Sequence, residues 1–318
     1  MRVLVTGGSG FIGANLTRSL ISTGHEVHLV LRPGHDTWRV AELLAEVRVH
    51  PAALEDAEMV ERVVVAARPE AVFHLATYGA YPHQADRAAA VATNLDGLDN
   101  LAASSLRHDC QALINAGTSS EYGRVDHAPA EDEPANPFGP YAETKAEATE
   151  RLSRLAETSQ ARIVTLRIYS AYGEWEEPTR LIPALILDGL EGRLPPLADP
   201  ATARDFVHVD DVVRAFQLAA AAPSGVYNVG TGIQTSLAEA AELSRRLFRI
   251  ERPPQWGSME GRSWDTSVWV SDSRRAAAVL GWNARITFAQ GLARTADWFR
   301  SRPDMVSLYR ARRQPAAR

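Results

Sequence analysis

The chain has 318 residues, of which 45% are hydrophobic and 23% charged, and its net charge is −5. That length suits one large α/β domain with a smaller lobe appended, and the near-neutral charge excludes an electrostatic footprint for nucleic acid or an anionic membrane surface. Small molecules are the expected partners. No apolar run reaches the roughly 18 residues of a membrane span, and Met1–Thr6 enters a strand with no secretory leader read there. The single cysteine, Cys110, cannot form an internal disulfide, so a reduced, cytoplasmic setting is expected. No His, Cys or carboxylate group has metal-ligand spacing, and no metal is expected.

In chain order, short apolar or β-branched runs at 3–5, 27–31, 47–49, 71–75, 113–116 and 163–166 alternate with helical stretches at 12–22, 58–67, 88–106 and 141–157. Runs of this kind separated by helices predict right-handed crossovers and a doubly wound parallel sheet of the Rossmann type. After Arg167 the alternation loosens, with helix-like segments at 181–190 and 209–221 and one more strand at 226–229. The reading is a dinucleotide-binding α/β domain over 1–167 plus 207–229, and a smaller substrate-binding lobe over 168–206 plus 230–302. Residues 303–318, polar and basic toward their end, are expected to be a flexible tail.

Gly7, Gly10 and Gly13 fall in Gly7-Gly-Ser-Gly-Phe11-Ile12-Gly13, directly after the first strand and at the start of the first helix. Missing side chains there let backbone N–H groups approach a pyrophosphate, and the helix N-terminus adds partial positive charge. A carboxylate commonly ends the second strand of such a unit to bind a ribose 2′-hydroxyl, but here the residues are Leu31-Arg32. An arginine pairs with a 2′-phosphate, so Arg32, assisted by Arg39, favours NADP(H) over NAD(H), which stays possible.

The 34 Lys plus Arg residues include one lysine, Lys145, which leaves 33 arginines. Only an ammonium is a compact donor with a tunable pKa, so this exception marks a function. Lys145 lies four residues after Tyr141 in Tyr141-Ala-Glu-Thr-Lys145, at the start of a helix, and that spacing puts both on one face. A neighbouring ammonium brings a phenol toward a working pKa, which makes the two a proton-transfer pair.

With these motifs the chain resembles the extended short-chain dehydrogenase/reductase family of nucleotide-sugar epimerases, dehydratases and ketoreductases over nearly its whole length. Further points of likeness are His74-Leu75-Ala76, Asn94 in Asn-Leu-Asp-Gly97, Arg204-Asp-Phe-Val-His-Val-Asp210, Tyr227-Asn-Val-Gly230 and Leu280-Gly-Trp282. The resemblance implies Thr118 as third member of the catalytic set, and Phe11, Ile12, Leu75, Ala76 and Asn94 beside the cofactor. Arg204 and Arg262 are implied as grips on a nucleotide diphosphate, and a homodimer is implied through a bundle that includes the Tyr141 helix. Tyr78, Tyr81, Ser119, Ser170 and Arg180 are placed near the substrate by position, while His208 is read as a core histidine.

Three departures matter. Ser119 and Ser120 stand where the family's 4,6-dehydratases carry an acid and a glutamate base, so dehydration lacks its machinery unless a local shift brings in Glu121. Tyr169-Ser170 replaces Phe-Asn, and Ala53 stands where NAD-bound relatives have an aspartate. The expected reaction is NADPH-dependent reduction of a nucleotide-linked 4-keto sugar, with an NAD-dependent 4-epimerase as the alternative. A noncatalytic NADP(H)-sensing module is a rival of another class, but it has no use for Thr118, Tyr141 and Lys145.

Overall fold

Strand β1 (Arg2–Thr6) leads through the glycine loop into helix α1 (Phe11–Ser22), and the same alternation continues with β2 (Glu26–Leu31), β3 (Arg48–Pro51), α2 (Ala57–Ala67) and β4 (Ala71–His74). Next come α3 (Arg87–Val91), a π-helical turn at Ala92–Asp96, α4 (Gly97–Arg107), β5 (Ala112–Thr118), α5 (Pro140–Thr158) and β6 (Arg162–Ile168). The computed structural model describes residues 1–81, 84–259, 261 and 266–313.

The second half contains β7 (Ser170–Tyr172), α6 (Leu181–Gly189), β8 (Ala203–Arg204), β9 (Phe206–His208), α7 (Val209–Ala219) and β10 (Gly225–Val229). It ends with β11 (Thr235–Ser236), α8 (Leu237–Phe248), α9 (Phe288–Arg300) and α10 (Pro303–Arg313). Seven strands form one sheet in the order β10-β6-β5-β4-β1-β2-β3, with every pairing parallel. The order of strand addition reverses between β1 and β4, the point where a doubly wound sheet opens a crevice beyond its strand ends. The Rossmann-like α/β fold expected from the alternation is the one formed.

Parallel strands are covered on both faces, which explains their nearly continuous apolar runs. One apolar cluster packs α1 and α7 residues, among them Leu16 and Phe216, against Val3, Val5, Phe73 and Ile114. On the opposite face Val64, Leu98, Leu101 and Leu152 meet Leu4, Val72, Leu113 and Ile163. A third cluster joins Tyr172, Trp175, Ile182, Leu185, Leu237, Leu292 and Phe299 beyond the main sheet.

Two expectations are corrected here. Residues 303–313 are no tail: they form α10, and Met305 and Tyr309 are buried in the third cluster against Trp38 and Trp298. The basic character of the segment hid this, because its arginines fan outward to Glu191, Asp36 and Asp188 while one apolar stripe faces in. The span 230–302 also does not stay with the third cluster, since Ala276, Leu280 and Trp282 pack into the sheet cluster beside Phe216. Trp282 donates its indole N–H to the Asp211 carbonyl at 2.8 Å. Among the described residues no helix is long and apolar enough to cross a membrane.

Candidate active site

The glycine loop sits at the switch point. Gly7 has φ +67°, and a Cβ there would lie 2.5 Å from the Ala76 nitrogen and the Leu75 carbonyl carbon, so the loop after β1 touches the loop after β4. A Cβ at Gly13 would come within 2.2 Å of the Gly7 oxygen. Helix α1 begins at Gly10 without a side-chain cap, which leaves its first N–H groups for a ligand. Phe11 and Ile12 turn inward onto the sheet cluster, and Leu75 and Ala76 donate backbone N–H bonds to the Thr6 carbonyl and hydroxyl. This uncapped, side-chain-free cradle fits a dinucleotide pyrophosphate.

Thr118 ends β5 and Tyr141 opens α5, and the Thr118 hydroxyl favours the ionised form of the Tyr141 phenol. The Thr118 oxygen also accepts the Ser120 N–H at 3.2 Å, so its own proton is available to the phenol. Burial pushes the Tyr141 phenol up to about 12, against the Thr118 hydrogen bond; Glu121 pushes the same way and Arg180 opposes it. For this phenol, loss of water around the ring outweighs the nearby charges. Lys145 itself is buried, and that burial pulls it down to about 8 while Glu121 holds it up. Below it His74 is kept neutral, pushed down to about 3 by burial and by the Lys145 charge, with Nδ1 2.7 Å from the Thr6 hydroxyl.

Glu121 is fully buried, and both of its oxygens are committed. Oε1 accepts the Thr118 N–H at 2.9 Å, and Oε2 accepts Nε–H of Arg167 at 2.8 Å. Arg167 also donates to the Glu131 carbonyl at 3.1 Å, with its guanidinium 4.4 Å above the Tyr122 ring. The local shift that might have made Glu121 a dehydratase base is thus absent: its carboxylate faces inward as a strut beneath Thr118. The sequence carries a signal for this pair, because Arg167 shares a strand face with Ile163 and Thr165 and so points into the α5 interface, where a lone cation requires a partner.

Arg32 stands beyond β2, but not alone. Its Nη2 donates to Glu55 Oε2 at 3.0 Å and to the Thr93 hydroxyl at 3.4 Å. Arg39, expected to assist it, is buried and donates instead to the Trp175 carbonyl at 2.7 Å and to Glu177 at 2.9 Å, tying the loop after β2 to the loop after β7. Asn94 is a clamp whose Oδ1 accepts from the Tyr78 N–H and the Thr77 hydroxyl, while Nδ2 donates to the Tyr78 carbonyl and the Thr144 hydroxyl. It thereby fixes Tyr78 and the start of α5 relative to each other.

Arg180 precedes α6, with its guanidinium 5.6 Å from the Tyr81 ring, and both residues influence Tyr141. Ser119 follows Thr118 and lines a small recess with Tyr122, Tyr169 and Trp269. Ser170 opens β7 and donates its N–H to the Asp205 carbonyl. Arg204 lies 5.3 Å over the Trp269 ring, whereas Arg262 lies outside the described residues. Asp205 is buried and accepts N–H groups of Thr231, Gly232 and Ser271. His208 is buried too and caps α7 through Nδ1, so these two motif residues hold the fold.

Glu176 was not foreseen. Its side chain is buried, Oε2 has no hydrogen-bond partner, and burial pushes the carboxyl up to about 8 against the pull of Arg180. The folded chain therefore holds a proton that the unfolded chain releases between about 4.5 and 8, and stability falls as pH rises through that window. Glu176→Gln keeps the shape of the neutral acid. Its stability advantage over the wild type is expected to widen by about 1.4 kcal/mol per pH unit across the window, as read by urea unfolding near pH 5.5 and 7.5. A gap that does not change with pH contradicts a protonated Glu176.

Uncapped glycine cradle, switch point and Thr118/Tyr141/Lys145 set together define a nucleotide-cofactor oxidoreductase of the extended short-chain type. Residues 3–230 match the NAD dependent epimerase/dehydratase family, and the chain belongs to it. The dTDP-glucose 4,6-dehydratase of Streptomyces griseus is 30% identical over 313 residues, covering 93% of each chain. The UDP-glucose 4-epimerase of Mycolicibacterium smegmatis is 30% identical over 317 residues, covering 95% of this chain and 99% of its own. Among solved structures, UDP-glucose 4-epimerase from Thermotoga maritima with UDP-glucose superposes with a TM-score of 0.86 at 29% identity, covering 95% and 99% of the two chains. The corresponding epimerase of Thermus thermophilus, in complex with NAD, gives 0.84 at 29% identity and coverage of 94% and 99%. The chain is thus an enzyme of the type that acts on nucleotide sugars with a nicotinamide dinucleotide.

Proposed function

We propose that the protein is an NAD-dependent nucleotide-sugar 4-epimerase. The observation that carries this is the engagement of Glu121 by Arg167 and the Thr118 N–H, with serines at the two positions before it. Among the described residues, the carboxylate that follows Thr118 is thus engaged rather than free to take a C5 proton, which favours oxidation and re-reduction at one carbon. The expected NADPH-dependent reduction gives way because Arg32, its main support, is already engaged by a carboxylate. The relatives named as epimerases support the same choice.

Gly7, Gly10 and Gly13 hold the pyrophosphate of the dinucleotide, which when bound supplies the hydride acceptor and donor. Thr118 orients the reacting hydroxyl, and Tyr141 Oη takes its proton as the carbonyl forms and returns it after the sugar turns over. Lys145, buried beneath, keeps a charge or a proton within reach of that exchange. Tyr78, Ser119, Ser170, Arg180 and Arg204 are proposed to face the nucleotide sugar, and the homodimer through the α5 bundle belongs to the same proposal.

Purified protein incubated with UDP-glucose and no added coenzyme is expected to form the 4-epimer, seen by proton NMR, and to release NAD on denaturation. Accumulation of a 4-keto-6-deoxy sugar, or turnover that requires stoichiometric NADPH, overturns the reading.

A further inference from the structure

We propose that Glu55, from the turn between β3 and α2, supplies the carboxylate that recognises the adenosine ribose and excludes a 2′-phosphate, and that Arg32 holds it in place. The inference rests on the reading of this chain as dinucleotide-dependent. Leu31 and Arg32 leave the end of β2 without an acid, but β2 and β3 are adjacent parallel strands and their C-terminal turns lie side by side. From the second turn Glu55 reaches across, and its Oε2 lies 3.0 Å from Arg32 Nη2.

The pair is not there for stability. Arg32 is 50% exposed and Glu55 36% exposed, and an ion pair so open to water contributes little to folding. What it does fix is a position: Thr93 accepts from the same Nη2 at 3.4 Å, so that nitrogen sits between two acceptors. Charge at the site then decides which ligand fits. Glu55 neutralises Arg32, and Asp56, whose carboxylate caps α2 by accepting the Met59 N–H, adds a second negative group next to it. A carboxylate accepts hydrogen bonds from ribose hydroxyls, whereas a phosphate with up to two negative charges is repelled. The arginine that reads as an NADP(H) signal in the sequence thereby becomes the support of an NAD(H) signal.

The test is a fluorescence titration of nucleotide-stripped protein with NADH and with NADPH, for the wild type, Glu55→Gln, Arg32→Leu and the double variant. Both side chains are surface-exposed, so the variants are expected to fold, and circular dichroism checks this. The wild type is expected to bind NADH at least about tenfold more tightly than NADPH. Glu55→Gln, which frees Arg32, is expected to improve NADPH binding about tenfold or more and to weaken NADH binding severalfold. The double variant loses that gain. A wild type that prefers NADPH, or a Glu55→Gln variant with an unchanged ratio of the two affinities, overturns the assignment. A chain that shows the Glu55-dependent preference yet converts no nucleotide sugar supports the assignment and faults the proposed reaction, and active epimerisation without that preference does the reverse.

Discussion

Replacing Tyr141 with phenylalanine is expected to cut sugar turnover about a thousandfold while the variant still retains its dinucleotide. The change removes one oxygen from a half-buried ring and leaves the ring in place, so packing is kept; what goes is the hydroxyl on which Thr118 acts. Burial pushes this phenol up to about 12, so in the neutral range it holds its proton and is ready to donate. Accepting a proton is the harder half of an epimerase cycle, and positive charge near the ring must make up the deficit. Lys145, the sole lysine in the chain, is buried on the same helix and pulled down to about 8, which keeps much of its charge near neutral pH. Lys145→Met is therefore expected to lower turnover as well and to shift the alkaline limb of the pH profile, which Tyr141→Phe at its residual rate does not do. Steady-state rates on UDP-glucose and quantitation of released nucleotide together check this. A Tyr141→Phe variant within tenfold of wild type rules out proton transfer by Tyr141, and one that loses its dinucleotide points to a binding role instead.

Local patterns were readable where a residue's own surroundings in the chain decide its structure. The strand runs, the glycine loop and the Tyr141/Lys145 spacing are of this kind, since periodicity and helix geometry act over a few residues. Partners brought together by distant segments were not readable. Arg32 could be judged against the residues beside it, but Glu55 reaches it only because two parallel strands end together. Glu121 likewise looked like a base displaced by one position, and only its meeting with Arg167, 46 residues away, turns it inward. The α10 helix was missed for another reason: Tyr309 and Met305 give too short an apolar stripe to stand out among arginines until Trp38 and Trp298 supply the surface they cover.

Arg167→Met is expected to destabilise the fold by about 3–5 kcal/mol, the usual result of leaving one member of a buried ion pair without its partner. Here the abandoned group is Glu121, which has no exposed surface, and Arg167 itself is 7% exposed, so water cannot replace the guanidinium. The variant also loses the donor to the Glu131 carbonyl and the stacking over Tyr122. The carboxylate still feels the Lys145 charge, and turning toward it would pull on the Thr118 N–H that Oε1 accepts. Thr118 would move with it, so turnover falls beyond what the lost stability explains. Glu121→Gln in the same background removes the stranded charge but keeps an oxygen for the Thr118 N–H. The Glu121→Gln/Arg167→Met pair is therefore expected to recover more than half of the lost stability, together with part of the activity. Urea unfolding of the wild type, both single variants and the double variant closes the cycle. If Arg167→Met unfolds within about 1 kcal/mol of wild type, or the double variant is no better than Arg167→Met, then Glu121 is not held by charge. The carboxylate would then be free to turn toward the sugar, and with it the argument against dehydration would fall.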